Sequence, residues 1–490
     1  MSKVIPIIAA TAPLARAGHT TADASADENA LYEIHKKIYP RAVSGWFAKW
    51  RWVFIFATQL VYYGTPWLMW NDRQAVLFDL AARKFYIFGI VFWPQDFIYL
   101  TILLLISAFS LFLFTAVAGR LWCGYTCPQT VYTEMFLWIE RKIEGDFIAQ
   151  KRLDQEPISA RKLGLKAAKH GSWIALSLWT GFTLVAYFTP VRDLGSSIVQ
   201  LTISGWEVFW ILFYGFATYG NAGWLREQVC KYMCPYARFQ GAMVDRDTLV
   251  VTYDEGRGEP RGARGRKVDY KAKGLGDCVD CNICVQVCPT GIDIRNGQQY
   301  ECIGCTACID GCNQVMDKMG YPRGLIRYAT LNSVDEHFGW REMLKRVFRP
   351  RVLAYTILLW AIIIATGISL WYRAPVKVDV IRDRGSLSRE VEGGLIENVY
   401  QLHLMNTQEK TQRLTVRATG AEGLQIVGLP PLLEVGSAAA KTIALNVRID
   451  PAKLPKGTSP IEFQIVAVDA QGKEAPDEFL IREKATFFNR

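Results

Sequence analysis

The sequence predicts a multi-domain membrane protein: an α-helical bundle of about five transmembrane helices, a cysteine-rich insert, and an all-β carboxy-terminal domain. Three observations predict it. Residues 50–230 hold long uncharged aromatic runs, all 12 cysteines fall between Cys123 and Cys312, and the tail after residue 372 alternates apolar with polar positions. With 51% apolar and 21% charged residues, the 490-residue chain is neither disordered nor collagen-like. Its long cysteine-free flanks exclude a small disulfide scaffold.

Five runs, 52–70, 97–118, 172–189, 208–225 and 352–372, contain no Asp, Glu, Lys or Arg. A helix needs about 20 mostly apolar residues to cross about 30 Å of hydrocarbon, so each run is long enough. Trp and Tyr gather at their ends (Trp52, Trp70, Trp173, Trp224, Tyr372), where amphipathic rings suit the headgroup zone. The run 85–93, between Lys84 and Pro94, is too short to cross and reads as interfacial or re-entrant.

Charge orients the bundle. Lys and Arg number seven in 1–51, three in 71–96, nine in 119–171, one in 190–207 and twenty in 226–351. The short loops decide, and they place 119–171 in the cytoplasm. The amino terminus and 226–351 share that side, and 373–490 lies outside. Residues 4–15 followed by Ala15-Arg16-Ala17 imitate a signal peptide. Pro6 and Pro13 break that stretch, and cleavage would invert every loop against the charge bias. The expected organisation is therefore 1–49, a cytoplasmic segment; 50–235, four helices; 236–351, a cytoplasmic linker and insert; 352–372, the fifth helix; and 373–490, a periplasmic domain.

The net charge of +10 belongs mainly to the inner side, because the tail after Tyr372 carries 16 basic and 15 acidic residues. The Arg/Gly-rich run 257–273 reads as a solvated linker near anionic lipid. Only Tyr270 in it could stack on a base, so no nucleic-acid partner is expected.

Two matching cysteine runs fill 278–312. Cys278, Cys281, Cys284 and Cys288-Pro289 form the first, and Cys302, Cys305, Cys308 and Cys312 the second. This is the ligand spacing of a bacterial two-cluster ferredoxin, in which the fourth cysteine of each run ligates the other cluster. Cys278, Cys281, Cys284 and Cys312 are thus expected to hold one 4Fe-4S cluster, and Cys302, Cys305, Cys308 and Cys288 the other. Zinc sites group cysteines as separated pairs, and disulfides are disfavoured in a cytoplasmic loop. Gly291, Gly304 and Gly311 are expected to relieve crowding where the backbone curls around the clusters. Asn313 stands where the second run would usually carry proline.

The remaining cysteines form a repeat. Cys123-Gly-Tyr125-Thr-Cys127-Pro128 follows the second apolar run, and Cys230-Lys-Tyr232-Met233-Cys234-Pro235 follows the fourth. Proline restricts the residue before it away from helix and is favoured in the first turn of the next one. Each pair is therefore expected at a break between a spanning helix and a surface helix, the first of which covers 131–143. Two thiolates there suit Cu(I) or zinc, another cluster, or a reversible dithiol. Met233 could add a thioether. His19, His35, His170, His337 and His403 all lie outside the five runs, so an intramembrane bis-histidine haem has no ligands.

In the tail, 376–383, 397–406, 412–419, 424–429, 442–450, 459–469 and 478–489 alternate at a period of two, with Gly or Pro clusters between several of them. Seven short strands over this length predict an immunoglobulin-like sandwich, a docking rather than a catalytic module.

This layout resembles the cytochrome c oxidase accessory protein family, called CcoG, FixG or RdxA. The resemblance covers roughly 30–490. It rests on the paired Cys-x-x-x-Cys-Pro motifs, an insert with Cys-Pro-Thr-Gly-Ile-Asp-Ile-Arg and Glu-Cys-Ile-Gly-Cys-Thr-Ala-Cys-Ile-Asp, one more span and a terminal sandwich. It implies a membrane-bound oxidoreductase with two 4Fe-4S clusters that reduces Cu(II) to Cu(I) for assembly of a cbb-type oxidase. Copper would be the substrate, held by Cys123, Cys127, Cys230 and Cys234, with Tyr125 and Tyr232 beside it. A cytosolic electron donor and copper chaperones or oxidase assembly factors would be its partners. Two other readings use the same residues: an electron-transfer subunit of a quinol dehydrogenase, and a non-enzymatic copper chaperone or assembly scaffold.

Overall fold

The computed structural model describes residues 37–383, 385, 388–469, 473–477 and 479–489. The signal-like stretch 4–17, His19 and His35 lie outside them. The chain divides into two compact units, one built from Met1–Gly64, Leu105–Val185 and Ile203–Ala361, the other from Thr65–Leu104, Ala186–Thr202 and Ile362–Arg490.

Among the described residues two helices are long and apolar enough to cross a membrane, Pro94–Ala118 and Pro350–Trp371. The other three expected spans have different bounds. The helix Trp46–Gly64 starts six residues before the run at 52, takes in Lys49 and Arg51, and ends before Pro66. The helix Ala160–Val185 opens with a basic turn, and Gly205–Tyr219 gives way to a π-helical turn over Gly220–Leu225. Uncharged runs mark apolar surface; they do not mark where backbone hydrogen bonding starts and stops.

In the first unit, the helices Ala160–Val185 and Gly205–Tyr219 pack backbone to backbone. A Cβ on Gly181 would meet the Ile211 carbonyl and lie 3.1 Å from the Gly215 nitrogen, so glycine there sets the helix separation. The insert has one antiparallel strand pair, Val250–Tyr253 with Ile326–Ala329, and two helices, Ile283–Gln286 and Ala307–Met319. Met316, Leu325, Ile326 and Ile309 fill its core beside Cys278, Cys284 and Cys312.

Two details of the insert correct the sequence reading. The run 257–273 is not a free linker. Arg257 pairs with Asp277 at 2.6 Å, and Arg264 donates to the carbonyls of Cys278 (3.2 Å) and Gly276 (2.6 Å) and to the Tyr321 hydroxyl. These arginines clamp the first cysteine run, a use that composition does not distinguish from solvation. Gly291 and Gly304 adopt positive φ, a conformation that favours glycine, whereas Gly311 sits in a helix with ordinary contacts to Ile283 and Val287. Asn313 lets that helix run on to Met319, and its side chain accepts from the Gly324 amide at 3.0 Å.

One acid of the insert ties down the first helix. The Asp310 carboxylate accepts from the Ala48 amide at 2.8 Å and the Phe47 amide at 3.4 Å, satisfying two of the free donors of the Trp46–Gly64 helix. A side chain on Gly45 would collide with that carboxylate. Asp310→Ala is expected to cost about 1–2 kcal/mol, and Asp310→Asn less, read as a fall in the unfolding temperature of the full chain.

In the second unit, the run 85–93, expected to be interfacial or re-entrant, is a β-hairpin. It forms the strands Lys84–Ile87 and Ile90–Phe92, which extend Val76–Asp79 into a three-stranded antiparallel sheet. A nine-residue apolar run is too short for periodicity alone to separate hairpin from helix. Buried Asp96 accepts from the Trp93 amide at 3.0 Å and pairs with Arg373 at 2.5 Å and with Lys377.

The tail is a two-sheet sandwich. One sheet orders Gln425–Val427, Ala440–Ile449, Leu395–Asn406 and Val376–Arg382, with Arg389–Val391 on the third strand. The other orders Leu433–Val435, Gln412–Thr419, Gly457–Ala467 and Leu480–Asn489. All seven expected strands are present, within two residues at each end. Arg389–Val391 and Leu433–Val435, three residues each, are too short to show a period. Tyr400 and Phe463 meet edge to face at 5.2 Å in the fully buried core. Phe463→Ala is expected to cost about 3–5 kcal/mol, checked by chemical denaturation of the full chain.

Candidate metal centre

The two repeated motifs share a break before proline but differ in the turn that carries the first cysteine. Cys123 lies in the short helix Leu121–Tyr125, and Cys127 precedes Pro128, the first residue of the helix Pro128–Glu144. Cys230 lies in the π-helical turn Val229–Met233, and Cys234 precedes Pro235, the first residue of Pro235–Met243. Both pre-proline cysteines are extended, Cys127 at φ −58° and ψ 127° and Cys234 at φ −78° and ψ 111°. The chain therefore breaks at each second cysteine and turns its thiol back toward the first.

The structure brings the four thiols into one neighbourhood, where no three of them converge tightly enough for a single metal ion. Cys123 lies within electrostatic reach of Cys127 and Cys234, and Cys230 within reach of all three others. Gln240 donates to the Cys123 sulfur at 3.3 Å, and Thr130 donates to the Cys123 carbonyl at 2.6 Å. Burial pushes the Cys123 thiol up to about 11 and Cys230 up to about 12. Such thiols stay protonated at neutral pH until a cation displaces the proton. Met233 is 60% exposed, at the surface beside the group.

The same motif is pressed against the second cysteine run. A Cβ on Gly124 would lie 2.6 Å from the Gly304 carbonyl oxygen and 3.1 Å from the Cys305 Cα, so only glycine permits this approach. Gly304, at φ +67°, returns the contact against the Arg120 carbonyl. The Tyr125 hydroxyl meets Thr306 Oγ1 at 2.8 Å, and buried Arg51 donates to the Cys305 carbonyl at 3.4 Å. Cys123 and Cys230 pack beside Ile303, Cys305 and Cys308 in one apolar cluster. A narrow crevice of about 30 Å³, lined by Arg51, Glu134, Arg226, Cys230, Thr290 and Cys305, opens next to it.

The eight insert cysteines fall into two neighbourhoods. Cys312 feels Cys284, Cys281 and Cys278, whereas Cys305 feels Cys288 and Cys302, and Cys308 feels those three first. Burial raises Cys302 to about 11 and Cys305 and Cys312 to about 12. Thr290 Oγ1 lies 3.3 Å from the Cys288 sulfur. Among the described residues, no three His, Cys, Asp or Glu side chains converge tightly enough for a single metal ion. Two neighbourhoods of four soft donors each fit a 4Fe-4S cluster apiece.

Of the other singled-out residues, Tyr232 is half-buried and His337 exposed. The His170 ring meets the Tyr219 hydroxyl at 2.9 Å, and the His403 ring meets Thr442 at 2.8 Å. Arg51, Gly124, Gln240, Thr290 and Thr306 were beyond sequence reasoning. Gly124, Thr290 and Thr306 lie inside the cysteine motifs, the one signal that could have found them.

A cysteine insert on a helical unit and a terminal β-sandwich define a ferredoxin-type iron–sulfur protein. Residues 225–331 match the 4Fe-4S dicluster domain, 100–145 match a 4Fe-4S binding domain, and 366–490 match the IG-like fold at the C-terminal of FixG. The nitrogen fixation protein FixG of Rhizobium meliloti is 38% identical over 94% of this chain and 95% of its own length. Protein RdxA of Cereibacter sphaeroides is 40% identical over 91% of this chain and 96% of its own. The ferredoxin-type protein NapH of Haemophilus influenzae is 26% identical over 44% of this chain and 68% of its own. The chain belongs to the FixG/RdxA family of iron–sulfur redox proteins.

Proposed function

We propose that the chain is a multi-pass inner-membrane oxidoreductase that reduces Cu(II) to Cu(I) for maturation of a cbb-type cytochrome c oxidase. One observation carries this reading: Cys123 and Cys230, each within electrostatic reach of the other motif thiols, pack against the loop that bears Cys302 and Cys305. Cys278, Cys281, Cys284 and Cys312 would hold one 4Fe-4S cluster, and Cys302, Cys305, Cys308 and Cys288 the other. Bound there, such clusters supply electrons one at a time, which matches a one-electron metal reduction.

The chain's own residues supply the rest. Copper binds as substrate at the motif thiols and displaces their protons. Thiolate sulfur is a soft donor that favours Cu(I) over Cu(II), so the ligand set itself draws the ion toward its reduced state. Gln240 holds the Cys123 sulfur in place, and Gly124 keeps the group against Cys305.

Apolar side chains exposed along the remaining helices support five crossings. Phe56 (67%), Leu60 (75%) and Phe216 (76%) project outward, as lipid-facing side chains would. The positive-inside bias puts the thiols and the insert in the cytoplasm and the sandwich in the periplasm, where oxidase assembly factors would dock. The test is a cupric reductase assay on the reconstituted full chain under a chemical reductant. Formation of Cu(I) that depends on the loaded clusters supports the proposal; its absence removes it.

A further inference from the structure

We propose that the basic run 261–273 is the docking surface of an acidic one-electron carrier protein, which delivers its electron beside Cys281. The inference rests on the function proposed above for the electron's destination; the docking itself depends on neither copper nor its reduction. The two neighbourhoods of insert cysteines face different surroundings. Cys305 and Cys308 pack beside Cys123 and Cys230, so an electron bound for the motif thiols leaves the insert there. Cys281, in the first neighbourhood, is the one exposed cysteine of the twelve. Cys308 lies within electrostatic reach of Cys284, so the two neighbourhoods adjoin. A carrier arriving from water therefore meets the insert at Cys281.

Charge selects the carrier. Residues 257–273 hold seven basic and two acidic side chains. The run is folded onto the stretch that leads to Cys281: the Gly262 amide donates to the Cys278 carbonyl at 3.3 Å, and Arg261 faces Asp280 at 3.9 Å. Arg257 and Arg264 are engaged in that clamp. Arg266, Lys267, Lys271, Lys273 and Lys318 are exposed and make no ion pair among the described residues. Arg266 lies beside Gly320, at the end of the helix that carries Cys308 and Cys312. Unpaired charge of one sign around one exposed ligand steers an oppositely charged protein onto that face, raising the encounter rate by about 10–1000-fold. Electron-transfer complexes are small and short-lived, so a patch of this size suffices. Anionic lipid would match the charge but has no electron to give. Nucleic acid would need a ring to stack on, and Tyr270 is enclosed between Arg264 at 4.6 Å and the Tyr321 ring at 4.6 Å.

The transfer balances simply. One electron leaves the reduced carrier, which is oxidised by one unit, and enters the insert at Cys281. No bond is made or broken in this chain, and no proton passes between the proteins. Two such encounters reduce two cupric ions in turn.

The test uses the full, cluster-loaded chain in lipid nanodiscs, with an acidic 2Fe-2S ferredoxin and an acidic flavodoxin as probes. Binding is followed by biolayer interferometry, and electron delivery by bleaching of the cluster absorbance. The expected result is saturable binding of at least one probe at low salt that high salt abolishes. Combining Lys267→Glu, Lys271→Glu and Lys273→Glu should slow association and electron delivery about tenfold or more. The same charge reversal at Lys151, Arg152 and Arg161, on the helices Phe147–Gln155 and Ala160–Val185, should change them by less than about twofold. Dithionite should reduce the clusters of both variants to the wild-type extent. If neither probe binds, or both variants slow it equally, the docking surface is overturned. Lysine acylation separates the membrane from the carrier. The bound probe should protect Lys267, Lys271 and Lys273 in nanodiscs of neutral lipid. Protection by phosphatidylglycerol to which the probe adds nothing would assign the run to the membrane surface and overturn the proposal. A probe that binds and reduces the clusters without yielding Cu(I) removes the proposed function and leaves the surface. Dithionite-driven Cu(I) formation with no probe bound does the reverse.

Discussion

Replacing Cys123, Cys127, Cys230 and Cys234 together by serine is expected to abolish copper reduction while leaving both iron–sulfur signals in place. The four positions lie outside the two neighbourhoods of insert cysteines, so the clusters keep their donors. Serine keeps the shape of the side chain but exchanges a soft sulfur for a hard, more polar oxygen, and Cu(I) loses the donor type it prefers. Losing even a residue that only orients a ligand typically costs 10–100-fold in affinity. Loss of four ligands should therefore lower the rate by about two orders of magnitude or more. Undiminished copper reduction by the quadruple variant would take the thiol group out of the reaction.

The second large effect is at Gly124. A single methyl group there meets a backbone carbonyl at 2.6 Å and a backbone Cα at 3.1 Å, and neither can rotate away. Gly124→Ala must separate the Leu121–Tyr125 helix from the Gly304–Cys305 turn, a strain of about 1–3 kcal/mol. Gly124→Val should cost more. Because Tyr125 and Arg51 grip the same turn, their bonds to Thr306 and to the Cys305 carbonyl should loosen with it. The expected result is slower copper reduction at unchanged cluster content, with the valine variant slower than the alanine variant. Hydrogen exchange of residues 303–306 should rise in parallel. A valine variant with wild-type rate and protection would show that this contact is not what couples the two sites.

How much of this was legible in the sequence follows from the range of each interaction. The eight insert cysteines and the two Cys-x-x-x-Cys-Pro motifs are local patterns, and their spacing is itself chemical information. The strands of the sandwich were legible because one buried face imposes a period of two over seven to twelve residues. Residues 85–93 were not, since a short apolar run fits hairpin and helix equally. Helix ends were missed for a different reason. Lys49 and Arg51 interrupt an apolar run without interrupting a helix, because Arg51 is buried against Glu134 at 3.6 Å, a partner 83 positions away. The Asp310 cap on Ala48 and the approach of Gly124 to Gly304 join segments that are distant in the chain. Nothing local marks either one, apart from a glycine where a side chain would have been cheap.

The most direct test is electron paramagnetic resonance of the anaerobically reduced full chain during titration with cupric ion. If the thiol group and the insert act as one redox unit, each added Cu(II) is consumed without leaving its own signal. The reduced-cluster signals should then fall in step, one electron per copper, until two cluster equivalents are spent. Cupric signal that accumulates from the first addition, beside undiminished cluster signals, would contradict the account.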